Sequence, residues 1–152
     1  MTFVTLRRMS ISIPSAIIKW MATWIAHLRI AENLLATLPT LDAGQFAIGN
    51  IAPDSGIPDE KWETFNPPPH VTHFKRTDSV HKDIADLDFY RGYLANIPPQ
   101  DTARFSFRLG YFFHLVTDNL WTILVGKPTQ ARHPEQFAAD KDFIWEVKQD
   151  WY

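Results

Sequence analysis

An imidazole and a carboxylate lie four residues apart in a strongly apolar part of the sequence, at His114 and Asp118. Four residues are about one turn of an α-helix, so both side chains would project from the same face of a helix. Both groups bind divalent metal ions, and their burial is costly unless they are paired or bound to a cation. The spacing indicates a candidate metal site, but a hydrogen-bonded core pair is the better explanation of these two residues taken alone, and only the further motifs reverse that preference.

The composition limits which groups can complete such a site. The chain has 152 residues, 45% of them hydrophobic and 14% aromatic, which is enough for one domain with a core. It has no cysteine, so disulfides and thiolate metal sites are excluded, and His, Asp and Glu are the available ligands. The net charge of -2 gives no reason to expect a nucleic-acid partner.

Three further residues are candidate ligands. His27 lies within the apolar stripe of a predicted helix, and Asp54 and His73 lie in loops that proline makes stiff. His70 follows three prolines and is a substitute for His73 if the register of that loop differs. Taken singly, His27 is also compatible with a core histidine that is bonded to the backbone.

Hydrophobic periodicity predicts five helices with few competing strand patterns. They cover residues 23–38, 41–50, 83–97, 101 to about 125, and a last stretch that starts at Pro134 or Glu135. Pro39, the Pro98 and Pro99 pair, and Gly126 with Pro128 should end the first, third and fourth helices. Residues 51–73 should form a long, proline-rich loop. The prediction is an all-α, single-domain helical bundle.

The fourth predicted helix has two different faces. A helical wheel places an aliphatic and aromatic stripe on one side, formed by Phe105, Leu109, Phe112, Val116 and Leu120. His114 and Asp118 fall on the opposite side. We therefore expect this helix to be central and to project the pair toward a polar pocket built by other elements.

The two ends of the chain lead to separate expectations. Residues 1–20 are predicted to be an N-terminal extension outside the fold, and residues 21–152 to form the domain. The apolar run after Arg7 and Arg8 is short, interrupted and closed by Lys19, so no signal peptide is predicted and a cytoplasmic location is expected. No segment has the length of a membrane span. The last helix stops abruptly at Tyr152, which suggests a chain that naturally continues.

Four sequence motifs together resemble the metal motifs of the zinc-dependent phospholipase C family. In chain order they are His27 with Ile30 and Ala31, the run 49–54 (GNIAPD), the run 71–74 (VTHF) and the run 109–118 (LGYFFHLVTD). Each motif alone is weak, whereas four in the same order are fairly specific. The resemblance covers roughly residues 21–152, and it implies an all-α fold related to zinc-dependent single-strand nucleases.

The resemblance also implies a ligand set. Asp54, His73, His114 and Asp118 would hold one zinc ion, and His27 would share Asp118 with a second. A third zinc ion of the family would need further histidines, but residues 121–126 contain none and Asp142 stands four residues before Glu146. One or two ions are therefore expected, without the third.

Such a site suits phosphodiester hydrolysis. Zinc lowers the pKa of a bound water to about 7 and stabilises charge on phosphoryl oxygens. Asp54 is the candidate catalytic base that orients the water. The expected substrate is a phosphodiester or a phospholipid-like molecule. The alternative function is a non-catalytic, zinc-stabilised binding or scaffold domain. A nuclease would need aromatic stacking beside a basic groove, and Arg104 and Arg108 give it little support.

Overall fold

Two capped helices begin the part of the chain that the structure describes. The structure is a computed structural model that describes residues 22–61, 63–75, 84–98, 102–140 and 142–149. Helix α1 spans Trp24–Thr37, and the Thr23 hydroxyl accepts a hydrogen bond from the Ala26 amide. Helix α2 spans Ala43–Ile51, and the Asp42 carboxylate accepts from the Gln45 amide. Both predicted helices are confirmed to within about two residues.

Short elements occupy the loop that was predicted for residues 51–73. A single 3-10 turn, Ala52–Asp54, follows α2 directly. Strands β1 (Ile57–Pro58) and β2 (Phe65–Asn66) then form a small antiparallel hairpin, with Ile57 opposite Asn66. Helix α3 is one turn long, Pro69–Thr72, and ends directly before His73. The loop therefore has enough regular structure to fix the positions of Asp54 and His73.

The third and fourth predicted helices are present with different bounds. Helix α4 spans Asp86–Phe89 and continues as a π-helical turn, Tyr90–Leu94. Helix α5 spans Thr102–Trp121 and continues as a second π-helical turn, Thr122–Gly126. The predicted stop at Gly126 and Pro128 is wrong, because helix α6, Lys127–Arg132, follows at once. Pro128 lies in the first turn of α6, where a helix needs no backbone N–H.

The last predicted helix is divided in two. Helix α7 spans Pro134–Ala139 and helix α8 spans Phe143–Gln149, with extended backbone at Asp140 between them. These helices confirm the all-α fold. The predicted extension, residues 1–20, and the final Trp151 and Tyr152 lie outside the described residues. None of the described helices combines the length and the apolar character that crossing a membrane requires.

Helices α2 and α5 cross with their backbones almost in contact, because each has a glycine at the crossing point. A methyl group on Gly49 would fall on the carbonyl oxygen of Phe107, and one on Gly110 would fall on the carbonyl oxygen of Phe46. The Ser106 hydroxyl accepts a hydrogen bond of 2.9 Å from the Asp42 amide at the start of α2. This crossing brings the end of α2 and the 3-10 turn that carries Asp54 against the middle of α5.

The most buried face of α5 is the one that carries His114 and Asp118, and not the aliphatic stripe, in line with the expectation that this pair projects inward. The residues of α5 that are buried are Ser106, Gly110, His114, Leu115, Thr117 and Asp118. On the predicted stripe, Phe112 and Val116 are only partly buried, and Leu120 is 49% exposed. Because the residues on this face are small, α2 packs closely against it and buries it more than the other faces of α5. His114 and Asp118 are consequently held in the interior.

An aromatic cluster beside α5 fixes the segment that carries His73. The Tyr111 hydroxyl donates a 2.5 Å hydrogen bond to the Thr72 carbonyl oxygen. Phe74 has a φ of 49°, unusual for a bulky residue, and its ring packs edge-on against Phe89 and Tyr93. Burial raises the pKa of Tyr111 to about 12, so its hydroxyl remains a donor at neutral pH. This packing holds the turn after α3 against α5.

Candidate metal centre

Five ligand-type side chains from four separate parts of the fold meet at one place. His27 comes from α1, Asp54 from the 3-10 turn, His73 from the turn after α3, and His114 and Asp118 from α5. The three imidazoles and Asp118 have at most 2% of their side chains exposed, whereas Asp54 has 21%. Solvent therefore reaches the cluster on the Asp54 side.

Four of these side chains have the spacing of a tetrahedral zinc site. The Nε2 atom of His73 lies 3.1 Å from Asp54 Oδ1, 3.2 Å from His114 Nε2 and 3.7 Å from Asp118 Oδ2. His114 Nε2 lies 3.4 Å from Asp118 Oδ2 and 3.9 Å from Asp54 Oδ1. Zinc bonds to nitrogen and oxygen of about 2.0–2.1 Å place tetrahedral ligand atoms about 3.3 Å apart. The donor set therefore fits one zinc ion with little rearrangement.

Backbone carbonyls decide which nitrogen of two imidazoles faces the cluster. His114 Nδ1 lies 2.8 Å from the Asn50 carbonyl oxygen, and His73 Nδ1 lies 3.0 Å from the Pro69 carbonyl oxygen. A carbonyl oxygen can only accept, so each Nδ1 donates, and each Nε2 of a neutral ring presents its lone pair to the other. Two lone pairs that face each other beside two carboxylates favour a positive charge between them, either a proton or a metal ion.

His27 and Asp118 form a second group that shares a carboxylate with the first. His27 Nε2 lies 3.3 Å from Asp118 Oδ1, and its ring stacks on that of His114 with centroids 3.9 Å apart. Both ring nitrogens of His27 are buried without a hydrogen-bond partner, as is Asp118 Oδ2. Orphaned buried donors and acceptors are rare in folded proteins. A cation at this group would satisfy His27 Nε2, and one at the four-ligand group would satisfy Asp118 Oδ2, so that both groups would draw on the Asp118 carboxylate.

Two triads offer ligand atoms within 4.8 Å of one another in the described part of the chain: His27, His114 and Asp118, and Asp54, His73 and His114. His114 belongs to both triads. Its side chain is therefore the central ligand candidate of the cluster.

Burial and mutual contacts set the charge states of the cluster. Burial acts to raise the pKa of Asp118, but its close contacts with the imidazoles of His114 and His27 outweigh burial and hold the pKa well below its usual range. Burial also opposes the lowered pKa of Asp54, which results mainly from its hydrogen bond with His73. Both carboxylates are consequently ionised at neutral pH, as metal ligands must be.

The pKa values of His27 and His114 are shifted in opposite directions. Burial lowers the pKa of His27, so the ring is neutral and able to bind a metal ion. Burial acts in the same direction on His114, but its contacts with Asp118, Asp54 and the Asn50 carbonyl together raise its pKa. A proton on His114 would occupy the space between the ligand atoms in the metal-free protein, and metal binding would displace it.

The structure brings all five predicted site residues together and separates them from the other histidines that it describes. His70, the substitute considered for His73, is exposed on α3 and belongs to neither ligand group of the described residues, while His73 is buried in the cluster. His133 packs against Phe143, away from the site. His81 lies outside the described residues. Asp142, directly before α8, and Glu146 on α8 are exposed.

Sequence reasoning missed the groups that orient the ligands. The Asn50 and Pro69 carbonyls act through the backbone, and residue types give no sign of such contacts. The Ala22 amide donates a 3.2 Å hydrogen bond to Asp118 Oδ1, 96 residues away in the chain. A buried lysine, Lys148, was also missed, although its position four residues after Ile144 gave a signal, because a helix places both on one face.

Comparison with known proteins supplies the family. Searches among curated proteins and among solved structures found no match. The family model of zinc-dependent phospholipase C matches residues 26–141, a range that contains all five clustered side chains. The match covers well over half of the chain and agrees with the all-α fold and with the buried His and Asp cluster. The chain belongs to the zinc-dependent phospholipase C family.

Proposed function

We propose that this protein is a zinc-dependent hydrolase of phosphodiester bonds, with a phospholipid-like substrate. The observation that carries the proposal is the shared carboxylate. Asp118 turns Oδ2 toward a four-ligand group and Oδ1 toward His27, whose own group has few ligand side chains among the described residues. Structural zinc sites are closed by four protein ligands, whereas catalytic sites keep a position open. The second group leaves such a position as far as the described part of the chain is concerned.

In this proposal Asp54, His73, His114 and Asp118 hold the first zinc ion, and His27 shares Asp118 with a second. Bound zinc would supply a Lewis acid for the phosphoryl oxygens and a water of lowered pKa. The chain's own part is to orient these groups. The Asn50 and Pro69 carbonyls fix the imidazole tautomers, and the close crossing of α2 and α5 keeps the Asn50 carbonyl in place.

Asp54 has a second role in the proposal. It is the ligand candidate with an exposed fraction of 21%, so water and substrate reach the site beside its carboxylate. Its lowered pKa keeps it ionised, as a base that orients a water molecule must be. One oxygen contacts His73, and the carboxylate can take a proton from water on the side that faces solvent.

Replacement of Asp54 by Asn tests this role. An amide oxygen can still ligate a metal ion, but the amide cannot accept a proton as a carboxylate does. We expect Asp54→Asn to lower kcat for a generic phosphodiester by about 10²–10⁴-fold. Zinc content, measured on the same preparation by elemental analysis, should stay close to that of the unaltered protein when excess zinc is present.

Asp59 provides the matched control, since it lies five residues away on the same loop and is exposed. Asp59→Asn should leave kcat unchanged. Full activity of Asp54→Asn would remove Asp54 from the chemistry. Bound zinc without any turnover in the unaltered protein would instead favour the zinc-stabilised scaffold.

A further inference from the structure

The first turns of α1 carry their large apolar side chains on the outside. In the α1 start, which we define as residues 22–28, Trp24, Ile25 and Leu28 are 50%, 45% and 40% exposed. Among the described residues of this stretch, His27 has the only large side chain that is buried. Apolar burial normally holds a helix onto a domain. The α1 start is held instead by an imidazole that is a candidate metal ligand.

Two contacts join the α1 start to α5, and both reach the same oxygen atom. The Ala22 amide donates a 3.2 Å hydrogen bond to Asp118 Oδ1, and His27 Nε2 lies 3.3 Å from that oxygen. The ring of His27 also stacks on that of His114, with centroids 3.9 Å apart. The residues that hold the α1 start on α5 are therefore the residues of the second ligand group.

The rest of α1 is held differently. Ala31 is buried, Ile30, Leu34 and Leu35 are partly buried, and the helix lies against α2. Such apolar packing needs no metal ion. A dependence on zinc is therefore expected at the start of the helix and not along its whole length.

Burial of His27 is costly in the absence of a metal ion. Both of its ring nitrogens are buried without a hydrogen-bond partner, so the closed α1 start gives up the hydrogen bonds that water would make with them. A cation on Nε2 would replace one of these bonds. Zinc would therefore favour the closed position of the α1 start.

The closed α1 start also blocks access to the second group. The side chains of His27, His114 and Asp118 have 0% exposure, whereas Asp54 of the first group is 21% exposed. An ion can reach the first group from the Asp54 side. The second group is enclosed while the α1 start is in place.

We infer that the α1 start is a metal-dependent strap: it opens to admit a zinc ion to the second group, and the bound ion then holds it on α5. This inference rests on the proposed function, in which His27 shares Asp118 with a second zinc ion. An ion that binds the closed form alone lowers the open fraction by mass action. The second ion should consequently bind and leave more slowly than the first.

The test is hydrogen exchange of residues 22–28 in the full-length protein, measured by mass spectrometry at increasing concentrations of free zinc. The His27 amide donates a 3.0 Å hydrogen bond to the Thr23 carbonyl oxygen, so it exchanges when the α1 start opens. With free zinc at about 100 times the Kd of the second group, we expect exchange about 100-fold slower than with a chelator.

Helix α7 is the internal control for this measurement. It contributes no side chain to either ligand group and has no buried residue among those that the structure describes. Its amides exchange by local opening that does not involve the metal centre. Exchange in α7 should therefore not respond to zinc.

Replacement of His27 by Ala separates the two ligand groups. The variant loses a ligand of the second group and keeps Asp54, His73, His114 and Asp118 of the first. Exchange of residues 22–28 in His27→Ala should no longer respond to zinc. Asn33→Ala, a change at an exposed residue of the same helix, is the matched control and should keep the full response.

Equal exchange of residues 22–28 with and without bound zinc would overturn the inference and leave the proposed function intact. A full zinc response in His27→Ala would overturn it as well, since the first group would then be what holds the α1 start. If that variant does not fold, the zinc titration of the unaltered protein decides alone. Absence of bound zinc from the unaltered protein would contradict the proposed function and the inference together.

Discussion

At the scale of single residues, the site depends on lone pairs that face one another. The Nε2 atoms of His73 and His114 are 3.2 Å apart, and backbone carbonyls prevent either ring from turning its protonated nitrogen inward. The sequence predicted the ligand types from spacing and family resemblance. It could not predict the tautomers, because these depend on carbonyls that only the folded chain brings into place.

His73 and His70 give the sharpest comparison between residues. Loss of a residue that hydrogen-bonds to a metal ligand weakens metal binding by roughly 10–100-fold. We expect His73→Ala, which removes a ligand itself, to weaken zinc binding by more than this. His70→Ala should leave zinc affinity unchanged, since this imidazole is exposed on α3, three residues away. Competition with a fluorescent zinc chelator measures both constants. An equal loss in the two variants would mean that α3 as a whole, and not the His73 ligand, determines binding.

At the scale of elements, the close crossing of α2 and α5 matters more than the apolar stripes that periodicity reveals. The sequence predicted α1, α2 and α5 well because the apolar periods of all three are strong and α1 and α2 begin at capping residues. It predicted that His114 and Asp118 project inward from α5, but not how closely α2 packs on that face, since Ser106, Gly110 and Thr117 look unremarkable in a pattern of hydrophobicity. Because these residues are small, α2 can pack close to α5 and bury that face.

Gly110→Ala tests the crossing. The added methyl group would meet the Phe46 carbonyl oxygen and push α2 away from α5. We expect the free energy of unfolding to fall by about 1–3 kcal/mol, as for other overpacked interiors. Zinc affinity should fall as well, because the Asn50 carbonyl would move away from His114 Nδ1. Urea denaturation and zinc titration measure the two effects.

Gly92→Ala is the control for this substitution, since a methyl group at Gly92 would meet no atom within 4 Å. Because alanine favours helical backbone over glycine, the free energy of unfolding should stay the same or rise by at most about 1 kcal/mol. A Gly110→Ala protein as stable as Gly92→Ala would show that the two backbones are not in contact.

At the scale of the whole molecule, four chain segments far apart in sequence are joined at one buried cluster. The order of the motifs and the family resemblance predicted this convergence and the all-α class. The division of the last predicted helix was not predictable from its apolar residues, because Phe137 and Phe143 pack edge-on against each other across the break at Asp140. The hydrophobic periodicity of the sequence continues through such a break, whereas the helical conformation of the backbone does not.

The central claim is that the buried His and Asp cluster is a zinc centre that hydrolyses phosphodiesters. The most direct measurement is total metal analysis of the purified protein, together with turnover of a generic phosphodiester with and without a chelator. The account predicts one or two zinc ions per chain and turnover that the chelator abolishes and added zinc restores. In His114→Ala both should be lost, because His114 belongs to both ligand groups. A protein that binds no metal, or a His114→Ala variant that keeps its zinc and its activity, would contradict the account.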